Sequence, residues 1–235
     1  MKYLIHIIMI LVVAVVATAA RAPQRPVPEG VDIDEIRAQV TDRTSPYYYP
    51  RLMKQFEANE TVMTTADYRY LYLGSMFTED YNPYRRSVYA DTVLPLTFKE
   101  KHTRAELDVM IKYCQLALED TPFDLNQMNF LIYALREKGK VNLANIWQYR
   151  MNRLLEAIMS TGSGADTTSA WYVIYPRDEA TIVNLRSKKV ESLNPTFVEP
   201  YYDCLEVTDN QGKQQQYYFN IKTVLEEFNR KYPEM

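Results

Sequence analysis

The chain is 235 residues long, with a formal net charge of −3 and 13% aromatic residues. That balance, with no Lys/Arg stripe interleaved with rings, excludes nucleic acid as the expected partner. Six glycines leave no GxGxxG or GxxxxGK phosphate cradle, and if the N-terminal apolar segment that holds His6 is removed, His102 alone is too few for HExxH, multi-histidine zinc or facial-triad sites, so neither cofactor nor metal is expected.

Met1-Lys2 is followed by an apolar run from Tyr3 to about Ala17, then by Ala17-Thr18-Ala19, a small-x-small pattern of the kind cut by signal peptidase. Residues 1–19 read as a secretory signal peptide. The alternative is a retained anchor, since the run is close to the roughly 18 residues at which spanning begins. No cysteine precedes Cys114, so a lipid-modified cysteine is excluded. The mature chain is expected to be periplasmic or secreted, with no membrane attachment after cleavage. Residues 20–30 hold Pro23, Pro26 and Pro28 without apolar periodicity and read as an extended tether.

Residues 31–162 read as helical. Asp32 caps a short helix carrying Ile33, Ile36 and Val40, and a second helix after Pro50 places Leu52, Met53 and Phe56 on one side. Thr64-x-x-Asp67 has the shape of a capping box and opens a helix with Tyr68, Leu71, Tyr72 and Ser75 on one face, interrupted at Asn82-Pro83. Thr103-Arg104-Ala105-Glu106 opens the next, with Leu107, Met110, Ile111, Cys114 and Leu118 at helical spacing, and Pro122 breaks it. Asp124 caps a helix running to Gly139, and a longer one runs from about Asn142 to Gly162. The stretch from Ala117 to Pro122, with Leu131, Leu135, Gly139 and Ala144, resembles one tetratricopeptide unit, although the second helix overruns the usual length. Any antiparallel helix pair would also place a glycine at its turn and a small residue at its crossing.

The segment from Thr161 to Ser169 marks a boundary, its Gly162-Ser163-Gly164 reading as a helix stop and flexible joint. Residues 163–235 then change from helix to strand patterning. Ala170 to Tyr175 reads as a strand, Asp178 to Leu185 as a short helix, and Asp203 to Thr208 with Gln214 to Ile221 as a hairpin turning at Gly212. Val224 to Tyr232 closes the chain as a helix. The expected fold class is α+β: a partly tetratricopeptide-like antiparallel helical layer, then a small antiparallel sheet and a C-terminal helix. Cys114 and Cys204 either close a loop worth about 4 to 5 kcal/mol in the chain-entropy model or remain unpaired in the core.

Nine of the twenty tyrosines fall between Tyr47 and Tyr89. The segments 48–54 (Tyr-Tyr-Pro-Arg-Leu-Met-Lys), 67–74 (Asp-Tyr-Arg-Tyr-Leu-Tyr-Leu-Gly), 79–85 (Glu-Asp-Tyr-Asn-Pro-Tyr-Arg) and 160–164 (Ser-Thr-Gly-Ser-Gly), with Tyr202-Asp203 and Tyr218-Phe219-Asn220-Ile221, carry a resemblance to the exported bacterial proteins grouped as domain of unknown function 4919. The likeness spans nearly all of the mature chain. It implies a Gram-negative, gut-type bacterial source and export, and it carries no assigned activity.

From the residues themselves, the block offers a polar-aromatic groove for a protein, peptide or glycan, built from Tyr68, Tyr72, Asp80, Tyr81, Tyr84 and Arg85, with Arg85 paired to Asp80 over a ring. The same tyrosines would equally serve to pack helix against helix. No residue is expected to be catalytic. The enzymatic alternative is an envelope hydrolase using carboxylates such as Glu79-Asp80 or Glu119-Asp120, or a Cys-His pair made from His102 and Cys114 or Cys204. The expected role is therefore a non-enzymatic protein- or peptide-interaction module of the bacterial envelope.

Overall fold

The computed structural model describes residues 30–233 apart from 187–189 and 210; the signal peptide and nearly all of the tether lie outside the described residues. Seven helices come first: α1 (Ile33–Thr41), α2 (Tyr49–Glu57), α3 (Thr65–Gly74), α4 (Val88–Thr97), α5 (Arg104–Asp120), α6 (Leu125–Glu137) and α7 (Val141–Met159). Then follow β1 (Trp171–Tyr172), α8 (Glu179–Arg186), β2 (Val190–Val198), β3 (Tyr202–Asp209), β4 (Gln214–Asn220) and α9 (Lys222–Lys231). The α+β expectation holds.

Local chemistry sets the helix ends. Both capping boxes form: Thr64 Oγ1 accepts from the Asp67 amide and Asp67 returns a bond to the Thr64 amide, and Thr103 and Glu106 do the same at α5. Each side-chain cap is worth about 1 kcal/mol. Asp32 and Asp124 cap α1 and α6 as expected. At the α6–α7 turn Gly139 adopts φ +74, so that its own amide and that of Lys140 return to the carbonyls of Arg136 and Leu135. Helices α5, α6 and α7 pack consecutively, and α3 packs on α7. Their shared core holds Leu107, Met110, Leu131, Leu135, Met151 and Leu154, all buried.

Several expectations are corrected. Helix α4 carries Pro95, a residue that ordinarily argues against a helix, yet here it falls in the last turn, where little of the ladder remains to be broken. The sheet, in order β1-β4-β3-β2, is mixed and not wholly antiparallel, because β1 runs parallel to β4 with Trp171 opposite Phe219. Strand β2 was not expected. It contains Pro195, a residue that sheets confine to edge strands such as this one. Gly162 and Gly164 are buried in a hydrogen-bonded joint. Gly164 donates to Ser169 and accepts from Tyr218, and Trp171 Nε1 donates to the Gly162 carbonyl at 3.0 Å. Cys114 and Cys204 are both buried and free.

Candidate functional site

The tyrosine block turns out to be the joint between the helical layer and the sheet. Strand β1 pairs for only two residues, so the chain beyond Tyr172 leaves the ladder with its main-chain groups in need of partners. Two phenols supply them at Ile174, which is fully buried. The Ile174 amide donates to Tyr72 Oη at 3.2 Å, and Tyr81 Oη donates to the Ile174 carbonyl at 2.6 Å. Burial pushes both phenols well above the ordinary tyrosine range, with Asp178 adding to the effect on Tyr72 and Tyr175 on Tyr81. Tyr68 is buried edge-on to Phe56 at 6.2 Å, and burial raises its phenol to about 12.

The remaining expected residues lie at the surface. Asp80 and Arg85 are exposed, and Tyr84, 52% exposed, sits edge-on to Phe228 of α9 with ring centroids 4.8 Å apart. An Arg85–Asp80 ion pair is not among those of the described residues. Arg85 instead closes the Asn82-Pro83 turn with its amide, which reaches Asn82 Oδ1 at 3.1 Å. The cations that hold this turn come from distant sequence. Arg177 Nη1 donates to the carbonyls of Pro83 and Arg85 at 3.3 and 3.0 Å, while Lys231 Nζ donates to those of Thr78 and Tyr81. Six residues gathered by proximity in sequence thus divide into three buried supports and three surface positions.

Beneath the joint lies a carboxyl cluster that the sequence reading missed. Arg177 Nε meets Asp124 Oδ2 at 3.3 Å and its guanidinium lies over the Tyr175 ring. Asp178, fully buried, accepts from Asn126 Nδ2 at 3.1 Å; burial first, then Asp124, raises its carboxyl well above the carboxylate range. The adjacent Glu179, 5% exposed and with a buried Oε1 that has no partner among the described residues, lies beside Asp203 of β3. Burial is the leading cause that lifts both groups. Among the described residues no group of three or more His, Cys, Asp or Glu is placed to hold a metal ion.

The Cys-His pair is not assembled. Both ring nitrogens of His102 are engaged elsewhere, by Leu96 and Tyr133, and burial pushes the Cys114 thiol up to about 12.

On the helical layer, α2, α5 and α7 frame an open groove of about 630 Å³. Its central feature is Arg150. The guanidinium lies 5.0 Å from the centroid of Phe56 and 4.8 Å from that of Trp147, and Nη2 donates to the Glu57 carbonyl at 2.8 Å. Its buried Nε has no protein partner. Desolvation lowers its affinity for its proton, which means that the cation is partly stripped of water and gains from a new acceptor. Lys112 and Lys140 stand on the groove wall with Glu57 and Glu119, while Asp108 is committed to Lys138 at 2.7 Å. The signal for this site was present in the sequence: Trp147 and Arg150, three apart, flank the apolar stripe of α7.

The family model described as Domain of unknown function (DUF4919) matches residues 34–230. No curated protein and no solved structure matches the chain.

Proposed function

We propose that this chain, which belongs to the family described as domain of unknown function (DUF4919), is an exported, non-enzymatic protein- or peptide-interaction module of the bacterial envelope. The leader-like sequence of residues 1–19 supports export. The observation that carries the binding reading is the partly desolvated Arg150, its guanidinium over the rings of Phe56 and Trp147 in an open groove. A peptide segment of a partner suits it, with a backbone carbonyl or carboxylate on Arg150 and an apolar side chain against Trp147. Asp80, Tyr84 and Arg85 offer a second, exposed contact patch, whereas Tyr68, Tyr72 and Tyr81 contribute by holding the joint rigid.

Arg150→Ala and Trp147→Ala proteins test this. Each is expected to stay folded and to lose a cross-linked partner that the wild type captures. Equal capture by wild type and both variants would count against the groove. The second reading, a hydrolase working through carboxylates, rests on Glu179 beside Asp203, both lifted above the ordinary carboxylate range chiefly by burial. It requires turnover of a glycan or peptide that Asp203→Asn abolishes.

A further inference from the structure

Once residues 1–19 are removed, His102 is the only imidazole of the chain. Its Nε2 lies 2.8 Å from the Leu96 carbonyl and its Nδ1 lies 2.9 Å from the Tyr133 hydroxyl. A carbonyl only accepts, so in the neutral ring the hydrogen sits on Nε2 and Nδ1 must accept from the phenol. Tyr133 Oη, its proton committed, therefore turns acceptor lone pairs alone toward solvent.

Tyr133, 36% exposed, and His102 form part of the wall of a cavity of about 490 Å³ between the α4–α5 connection, α6 and α7, which is within the size range of small-molecule sites. Helix α6 contributes Asn129, Phe130 and Arg136 from the same side as Tyr133. From α7 comes Gln148, whose Oε1 accepts from Arg136 at 3.1 Å and whose Nε2 donates to Asn152 at 2.9 Å, leaving its second amide hydrogen and further guanidinium hydrogens at the edge of the cavity. The charges on the wall cancel: Lys99 and Arg136 face Glu100 and Glu137, and Lys99 is already paired with Glu106. Such a wall attracts neither an anion nor a cation strongly. Planar groups that donate and accept side by side match the vicinal hydroxyls of a sugar, each of which also does both. The half-buried Phe130 and the Tyr133 ring offer apolar surface to the C–H face of a pyranose.

We infer that this cavity is a binding site for a short neutral oligosaccharide, one hydroxyl of which donates to Tyr133 Oη while neighbouring hydroxyls are held by Asn129, Arg136 and Gln148. The site is separate from the peptide groove and does not depend on it.

The test titrates the chain lacking residues 1–19 with tetramers of β-glucan, xylan, mannan and α-glucan, and follows the His102 ring resonances, the only imidazole signals present. At least one tetramer is expected to shift them saturably, with a Kd of about 1 mM or tighter. Tyr133→Phe, which keeps the ring and removes the acceptor oxygen together with its bond to His102 Nδ1, is expected to weaken binding by about tenfold, as is Asn129→Ala. Three results would each overturn the inference: no shift from any tetramer at about ten times that concentration, saturation by sialylated or uronic oligosaccharides alone, or unchanged affinity in both variants.

Discussion

Tyr72→Phe and Tyr81→Phe isolate the role of the tyrosine block, because each removes one oxygen and leaves the ring in place. Both hydroxyls terminate on Ile174, whose side chain and main chain are enclosed. The first variant leaves the Ile174 amide without an acceptor, and the second leaves its carbonyl without a donor. A buried group orphaned in this way costs about 1 to 3 kcal/mol. The cavity contribution is small, since only a hydroxyl is lost. Each variant is therefore expected to lose about 1 to 3 kcal/mol, and the double variant less than the sum, because the second deletion acts on a segment that the first has already loosened. Urea unfolding followed by tryptophan fluorescence reads the loss as a lower midpoint at constant slope. Amide exchange at Ile174 should accelerate most in Tyr72→Phe. Stabilities within about 0.5 kcal/mol of wild type in both variants, with unchanged exchange at Ile174, would refute the joint as described.

Three further outcomes follow from the same contacts. Glu179 and Asp203 both titrate above their ordinary values in the folded chain, so their contribution to stability is fully present below the unfolded carboxylate range and is lost as pH rises through the folded values. The urea midpoint should accordingly fall as pH rises above the ordinary carboxylate range, and Glu179→Gln, which has no carboxyl left to titrate there, should flatten that slope; an unchanged slope in the variant would contradict a raised Glu179 carboxyl. Gly164→Ala places a methyl group 2.8 Å from the Trp171 ring at a φ of +70. Strain and overpacking together should cost roughly 2 to 4 kcal/mol by thermal or urea unfolding. Thr103→Ala removes one side of the α5 capping box and should cost about 1 kcal/mol in the same assay, whereas Thr103→Ser should restore it.

Much of the helical layer was legible because its signals are local. A capping box is read within four residues, and the stripe of α5 repeats every turn, so Thr103, Glu106, Leu107 and Met110 all fall where expected. Where local signals conflict with context, the reading failed. Pro95 and Pro195 argue against a helix and a strand, yet one sits in a final turn and the other on a sheet edge, positions visible only once the fold exists. Strand β1 came out shorter than its apolar run, because phenols from α3 and the following turn satisfy Ile174 in place of a neighbouring strand.

The site was the least legible part, for a related reason. The cations that pin the Asn82-Pro83 turn, Arg177 and Lys231, stand roughly a hundred residues or more downstream, and Arg85, the cation adjacent in sequence, does that work only with its backbone. Likewise Glu179 and Asp203 look like ordinary solvated carboxylates in the sequence. Only the packing of β3 beside α8 makes them a pair.

Site-specific photo-cross-linking in cells most directly tests the division between a structural tyrosine joint and a binding groove. A photoreactive residue replacing Gln115, in the groove wall, is expected to capture a discrete partner, with capture lost in the Arg150→Ala background and retained in the Tyr81→Phe background. Capture from Gln115 that ignores Arg150→Ala, or capture only from the Arg85 position, would contradict that division and return the binding role to the tyrosine block.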